Sequence, residues 1–459
     1  MRILLLNPPA EKLHSRDYYC STSTKADYYW PPTDLLVLSA FLKKDHIIKL
    51  IDANAAKMSF EQAKNIVNEF DPEIIIFVTS TPTFKNDMDF LSLVKTGKRK
   101  IYASGNYVYF MPKKAMEDYK NLDGIIMDFT SNGVANFFSG KKKQTTDMVY
   151  REGSKIVLTK RSYERTFEYP DVPMHELLDF SKYHLPHAKR HPLTSVLTTF
   201  GCPFDCSFCF CGKMPIKQRT VENTIKELKY IQSLGIKEVF FRDYTFTMNK
   251  EITKQLCREI INNKIDITWI CVTRTDCVDR ELLILMKDAG CHTIQFGVES
   301  GSDEILKKYS KRVDKKHIKE VFDICNKLKI NTLSHFIIGL PGETKEDIEA
   351  TINFAKELKT DYAAFNLFVP MIGTRAREEV IKNGWLKNED ISLLDSSDDE
   401  IPIETPWLKK EEILKMKRRA LKKFYLRPSY MARMLYKRKS LKEFKELVKN
   451  GLVVIRSAA

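Results

Sequence analysis

Between residues 1 and 140, short and wholly apolar runs alternate with amphipathic text. The apolar runs are "RILLLN", "HIIKLID", "PEIIIFVTS", "RKIYAS" and "LDGIIMDF". Helix-period segments such as "TDLLVLSAFLKK" and "SFEQAKNIVNEF" stand between several of them. Strands apolar on both faces and separated by helices predict a parallel sheet covered on both sides, a doubly wound α/β domain. Such domains bind ligands beyond the strand C-termini. That draws attention to the loops "NPPAEK", "TSTPTF" and "SGNYVY".

"SGKKKQ" (139–144) closes this series, and 141–190 reads as a connector holding a short hairpin, "YREGSKIVLTKR". A second alternating series follows, with candidate strands "TSVLTTF", "KEVFFRDYTF", "ITWICVTRTD", "TIQFGVES", "NTLSHFIIG" and "YAAFNLFVP". Most lead into a loop and a helical pattern such as "TVENTIKELKYIQSLG". Six βα units predict a barrel or partial barrel with its chemistry at the strand C-termini. From about 395 the text turns acidic, "DSSDDE", and then basic and helical. The expected organisation is a first domain over 1–140, a connector over 141–190, a barrel over 191–394 and a helical region over 395–459.

A chain of 459 residues, 43% hydrophobic and 29% charged, has the make-up of a multidomain globular protein. "MRILLLNPPA" lacks the longer apolar stretch of a secretory signal and reads as a first strand. No window approaches the roughly 18 apolar residues of a membrane span. A cytoplasmic location is expected. The net charge of +15, concentrated near the C-terminus, fits a solvated helical face and leaves room for an anionic membrane surface.

Ten cysteines in such a chain do not make a disulfide framework in a reducing compartment. Cys20, Cys257, Cys271, Cys277, Cys291 and Cys325 are scattered and read as small buried hydrophobes. The other four crowd into "GCPFDCSFCFCGK", directly after the first strand of the second series. Cys202, Cys206 and Cys209 are spaced C-x3-C-x2-C. Structural zinc takes four ligands, usually in two separated pairs, and no second pair lies nearby. A redox CxxC needs no third cysteine. A [4Fe–4S] cluster is ligated by thiolates, and three of them leave one iron open to a substrate.

"CPFDCSFC" resembles the loop of the radical S-adenosylmethionine enzymes. The resemblance implies that Cys202, Cys206 and Cys209 hold a [4Fe–4S] cluster that reductively cleaves S-adenosylmethionine to a 5′-deoxyadenosyl radical. Cys211 has no place in that pattern. For S-adenosylmethionine it implies the Phe208 backbone near the adenine and Asp243 in a second-strand motif whose first acid is replaced by Arg242. It further implies Arg274 at a strand end, ready to meet a carboxylate with its bidentate fork, and Glu299 in "FGVESGSDEIL". The turn "IIGLPGET" brings Gly339 and Gly342, where backbone can approach the adenosine. The family arginine before Gly201 is Phe200 here.

A doubly wound domain ahead of this barrel resembles the cobalamin-binding subgroup, which includes methyltransferases and the anaerobic Mg-protoporphyrin ester cyclase. The fold implied is an α/β protein: a Rossmann-like cobalamin-binding-type domain, a radical S-adenosylmethionine partial (β/α)6 barrel, and a helical C-terminal region. Cobalamin is then expected at Asn7, Pro8, Thr79, Ser80, Ser104, Gly105 and Asn106. The subgroup's Gly-Gly-x-His after the fourth strand is "SGNYVY" in this chain, and D-x-H-x-x-G is absent. The activity implied is cobalamin-dependent methylation of an unactivated carbon or phosphorus centre. A radical cyclisation or rearrangement of a lipid or tetrapyrrole, and RNA modification, are the alternatives. Expected partners are a small-molecule or lipid substrate and a flavodoxin- or ferredoxin-type electron donor, not a nucleic acid. Tyr244 is a candidate substrate contact.

Overall fold

The computed structural model describes residues 1–18, 21–24, 28–397 and 400–437. Five parallel strands open the chain: β1 (Arg2–Asn7), β2 (Ile47–Asp52), β3 (Ile74–Thr79), β4 (Lys100–Gly105) and β5 (Gly124–Ile126). A hairpin of β6 (Met148–Glu152) and β7 (Lys155–Leu158) adds two antiparallel strands, giving the order β2-β1-β3-β4-β5-β6-β7. The sheet therefore runs past residue 140, where the sequence pattern had placed its end. Met148 and Val149, both buried, dock the hairpin against β5.

Alternation within the strands decides what each face covers. Leu4 and Leu6 of β1 face a core built with helices α2 (Phe60–Phe70) and α3 (Phe84–Val94). Ile3 and Leu5 face the opposite side, toward α1 (Thr33–Leu42). That second core does not stop at the first domain. It runs without a break into Leu193, Phe200 and Phe240 of the barrel.

The second sheet has six parallel strands in sequential order: β8 (Leu193–Val196), β9 (Glu238–Phe241), β10 (Thr268–Thr273), β11 (Cys291–Glu299), β12 (Asn331–Ile338) and β13 (Tyr362–Leu367). This is the expected partial (β/α)6 barrel. The outer helices begin where the sequence supplies a cap. Thr220, Asn249, Asp279, Asp314 and Thr344 each accept the backbone N–H three residues on. A side-chain oxygen there satisfies one of the helix's orphan donors. Two further helices, α4 (Lys410–Tyr425) and α5 (Pro428–Lys437), follow the barrel. Among the described residues no helix is long and apolar enough to cross a membrane. The remainder of the basic C-terminal text, and Cys20, lie outside the described residues.

Candidate active site

The cysteine loop hangs from the C-terminal end of β8. The strand ends at Val196 because the next amides are taken elsewhere. Asp243 Oδ1 accepts Thr198 N at 2.7 Å, Thr199 Oγ1 at 2.8 Å and the Thr199 amide. Asp243 Oδ1 thus pins the stalk of the loop, while its Oδ2 is buried without a hydrogen-bond partner. Burial pushes its carboxyl up to about 6.

Two glycines pinch the loop shut. A Cβ on Gly201, which has φ +76°, would lie 2.2 Å from Pro215 O, and one on Gly212 would lie 2.2 Å from Phe204 O. Only glycine allows backbone that close. Within the loop Cys209 N donates to Cys206 O at 3.0 Å. From outside, Tyr309 O accepts Ser207 N at 3.0 Å and Ser207 O accepts Ala376 N at 2.9 Å. The loop is thereby held by both later ends of the barrel. A small cavity of about 140 Å³ lies against Asp205, Cys206, Ser207, Cys209, Gly212, Lys213 and Arg375.

Each thiol of the C-x3-C-x2-C set has its own polar neighbour. Cys202 Sγ is 3.6 Å from Thr245 Oγ1, Cys206 Sγ accepts Arg274 Nη1 at 3.3 Å, and Cys209 Sγ accepts Cys211 N at 3.4 Å. A hydrogen bond from the Cys211 side chain lowers the Cys209 thiol, whereas burial raises Cys202 and Cys206. Among the described residues no three His, Cys, Asp or Glu side chains are grouped to hold one metal ion. A [4Fe–4S] cube makes a different demand, because each thiolate takes a separate iron at a separate corner. Three cysteines on one pinched loop, each sulfur within reach of a donor, fit that demand. Cys211 is buried.

The remaining candidates surround this loop. Phe208 lies 6.3 Å, ring to ring, from Tyr309, whose hydroxyl donates to Pro341 O at 2.8 Å. That contact joins the cysteine loop to the Gly339–Gly342 turn. Glu299 ends β11 in the left-handed region, φ +69°, an uncommon conformation for a residue with a Cβ. Its Oε1 accepts Lys311 Nζ at 2.8 Å, and both side chains are almost fully buried. Arg274 lies beside the same loop. Its fork is closed on Asp276 at 2.9 and 2.7 Å and on Lys311 O at 2.6 Å, leaving Nη1 for Cys206. The guanidinium supports the cysteine loop.

Gly339 and Gly342 have φ of +88° and +89°. Gly339 N and Leu340 N donate to Glu343 Oε2 at 2.7 and 3.2 Å. Glu343 is wholly buried, and desolvation raises its carboxyl to about 8. Sequence reasoning missed Lys311 and Glu343. A glutamate directly after a Gly-x-Pro-Gly turn was a usable signal, whereas Lys311 is one of several lysines in the same stretch. Tyr244 donates to Met214 Sδ at 3.3 Å, beside the cysteine loop.

At the first sheet the structure gathers the expected cobalamin residues at one edge but turns them toward one another. Asn7 Nδ2 donates to Tyr29 Oη and Asp52 Oδ1, and its Oδ1 accepts Arg16 Nη1. Arg16 also donates to Pro8 O. Thr79 donates to Asp87 and Ser80 pairs with Thr83. Ser104 is buried beside Tyr18. A Cβ on Gly105 would sit 1.9 Å from Thr79 O. Asn106 Oδ1 accepts from Thr81, while its buried Nδ2 has no partner. As arranged here, these residues do not offer a seat for a corrin.

Comparison with known proteins agrees with the site. Residues 196–355 match the radical SAM superfamily. The chain is 30% identical, over 95% of both sequences, to an uncharacterised methyltransferase of Pyrococcus horikoshii. Its fold superposes on the radical S-adenosylmethionine methyltransferase TsrM from Kitasatospora setae, solved with cobalamin and a [4Fe–4S] cluster. That match has TM-score 0.70 and 13% identity, and covers 99% of each chain. It also superposes on the cobalamin-dependent radical enzyme OxsB, with TM-score 0.71 and 15% identity, over 99% of this chain and 72% of that one. With its cysteine loop at the mouth of a six-stranded parallel barrel and a doubly wound domain ahead of it, the chain belongs to the radical SAM superfamily.

Proposed function

We propose that this protein is a radical S-adenosylmethionine methyltransferase acting on an unactivated carbon or phosphorus centre of a small-molecule or lipid substrate. The observation that carries the reading is the pinched loop that holds Cys202, Cys206 and Cys209 at the end of β8, ringed by Glu299, Lys311 and the Gly339–Gly342 turn. The cluster, when bound, supplies the electron that cleaves the sulfonium of S-adenosylmethionine and so furnishes the hydrogen-abstracting radical. Arg274 and the Cys211 amide hold two of the ligand sulfurs by hydrogen bonds. Glu299, fixed by Lys311 and by its own left-handed backbone, presents an acceptor edge suited to the ribose or amine of the cofactor. Glu343 shapes the turn against which adenosine packs. The aromatic lining around the loop excludes water from the radical.

Cobalamin is the methyl carrier this reading calls for, and TsrM and OxsB were solved with it. In this chain most of the groups expected to hold it are engaged with one another, and Asn106 Nδ2 is buried without a partner. The reading includes an external one-electron donor of flavodoxin or ferredoxin type. It also includes contact of the basic C-terminal region with an anionic membrane surface, supported by the exposed Met431, Leu435 and Tyr436 of α5.

Anaerobic reconstitution followed by dithionite and methyl-labelled S-adenosylmethionine tests the proposal. The expected result is bound iron and sulfide, release of 5′-deoxyadenosine, and label transferred to an added acceptor. A preparation that loads zinc and no iron, or that never releases 5′-deoxyadenosine, overturns it.

A further inference from the structure

Strand alternation gives the barrel sheet two faces of different character. Ile294, Phe296, Phe336, Ile338, Phe365 and Leu367 belong to the core beneath the outer helices. The residues between them face the lumen, and there the sheet is not sealed. Gly297 of β11, His335 and Ile337 of β12, and Ala364 and Asn366 of β13 are each only partly buried. Register sets His335 between Gly297 and Ala364, with Asn366 beside Ile337, one step nearer the strand C-termini. The Glu299–Lys311 pair lies directly over Gly297, where a Cβ would collide with Glu299 Oε1 and Lys311 Nζ. This partly open strip of lumen thus adjoins the edge of Glu299 assigned above to the cofactor.

A hydrogen-bond network fixes the floor of the strip. The buried Gln295 has its Oε1 3.0 Å from His335 Nε2, and its Nε2 lies 2.8 Å from Tyr28 Oη and 3.4 Å from His187 Nε2. Burial lowers the His335 ring to about 4 and the His187 ring to about 3, so both are neutral at pH 7. An amide oxygen only accepts, so the His335 proton sits on Nε2 and its Nδ1 keeps a lone pair. Among the described residues that Nδ1 has no hydrogen-bond partner, and neither has the side-chain amide of Asn366. The charges that act on His335 are those of Glu299, Arg242 and Lys311. All three are paired, Lys311 with Glu299 at 2.8 Å and Arg242 with Asp17 at 2.6 Å.

We propose that His335 and Asn366 recognise the substrate, taking an uncharged amide or hydroxyl group that donates to His335 Nδ1 and pairs with the Asn366 amide. The inference rests on the methyltransferase reading above and narrows its substrate class. A carboxylate or phosphate brings only acceptors and sets negative charge against the His335 lone pair. An ammonium can donate to Nδ1, but it gives up its water with Glu299 already paired to Lys311, a cost that a neutral group escapes. Two placed polar side chains beside the apolar Ile337 and Ala364 are the usual make-up of a small-molecule site. Gln295 acts through His335: by holding Nε2–H it fixes the tautomer and keeps the Nδ1 acceptor free for the substrate.

The test uses the full chain with its cluster reconstituted anaerobically and its histidine rings isotope-labelled for nitrogen NMR at neutral pH. N-methylacetamide, acetate and methylammonium are titrated in at equal concentrations, with and without saturating S-adenosylhomocysteine. Loss of one ring's signals in His335→Gln assigns that residue. The expected spectrum has His335 protonated on Nε2 alone, with Nδ1 shifted by N-methylacetamide and unmoved by either ion. Asn366→Leu is expected to weaken the response to N-methylacetamide about fivefold, the worth of one hydrogen bond. Asn366→Asp, of the same size, is expected to transfer the preference to methylammonium, which keeps the test decisive should either other variant fold poorly. A proton on Nδ1, a stronger response of the wild type to either ion, no response to the amide, or Asn366 variants that behave as the wild type would overturn the site and leave the methyltransferase reading standing. A response abolished by S-adenosylhomocysteine would give the place to the cofactor and overturn the site equally. A chain that loads no iron overturns the methyltransferase reading and this inference with it.

Discussion

Glu343 offers a quantitative handle on the cofactor turn. Its Oε1 is buried without a partner while Oε2 takes two backbone N–H groups, and desolvation raises its carboxyl from 4.5 to about 8. A carboxyl raised in the fold binds its proton more tightly in the native chain than in the unfolded one. Its stabilising effect is therefore complete below about pH 4.5 and is lost as pH rises toward 8. Between about pH 5.5 and pH 8 the linkage amounts to about 3 kcal/mol, at roughly 1.4 kcal/mol per unit of pH and allowing for half-ionisation at the upper end. Glu343→Gln keeps an oxygen for Gly339 N and Leu340 N and cannot ionise. Urea unfolding of the metal-free protein followed by circular dichroism, run at both pH values on both proteins, isolates the effect. The wild type should lose about 3 kcal/mol more than the variant over this interval. A difference below about 1 kcal/mol would mean that Glu343 is ionised in the fold and that the turn is held by a carboxylate.

Cys202→Ala, Cys206→Ala and Cys209→Ala should each abolish bound iron and its visible absorbance, whereas Cys211→Ala should retain both. Lys311→Met strands the buried Glu299 carboxylate and should cost about 3 kcal/mol of thermal stability, with S-adenosylmethionine affinity falling in calorimetry. Lys311→Met with Glu299→Gln should be milder than the sum of the two single changes, because the two groups are in contact. Gly105→Ala puts a methyl 1.9 Å from Thr79 O at a φ of +147° and should destabilise by more than about 3 kcal/mol, read as lost soluble yield and a lowered melting temperature.

Strand existence was legible because both faces of each strand are covered, so apolar runs such as "IIIFVT" admit no surface reading. Where the hairpin "YREGSKIVLTKR" docks was not legible: alternation marks a half-buried strand but names no partner. The cysteine loop declared itself because three thiols must converge on one object. The local partners of Arg274 were not legible either. A strand-end guanidinium looks available, yet Asp276, two residues on, satisfies its fork first. Lys311 was hidden because a buried lysine and a solvated one are written identically. Arg242, an anomaly in the sequence, makes sense only with Asp17, 225 residues away in the chain.

The hydrophobic core that runs from Leu5 and Ile76 of the first sheet into Leu193, Phe200 and Phe240 of the barrel has a consequence for dissection of the molecule. A barrel expressed alone would carry those side chains as raw apolar surface, a predicted site of aggregation. The intact chain should melt as one cooperative unit instead of two. Truncation that aims to isolate the radical chemistry would thus remove part of the barrel's own interior.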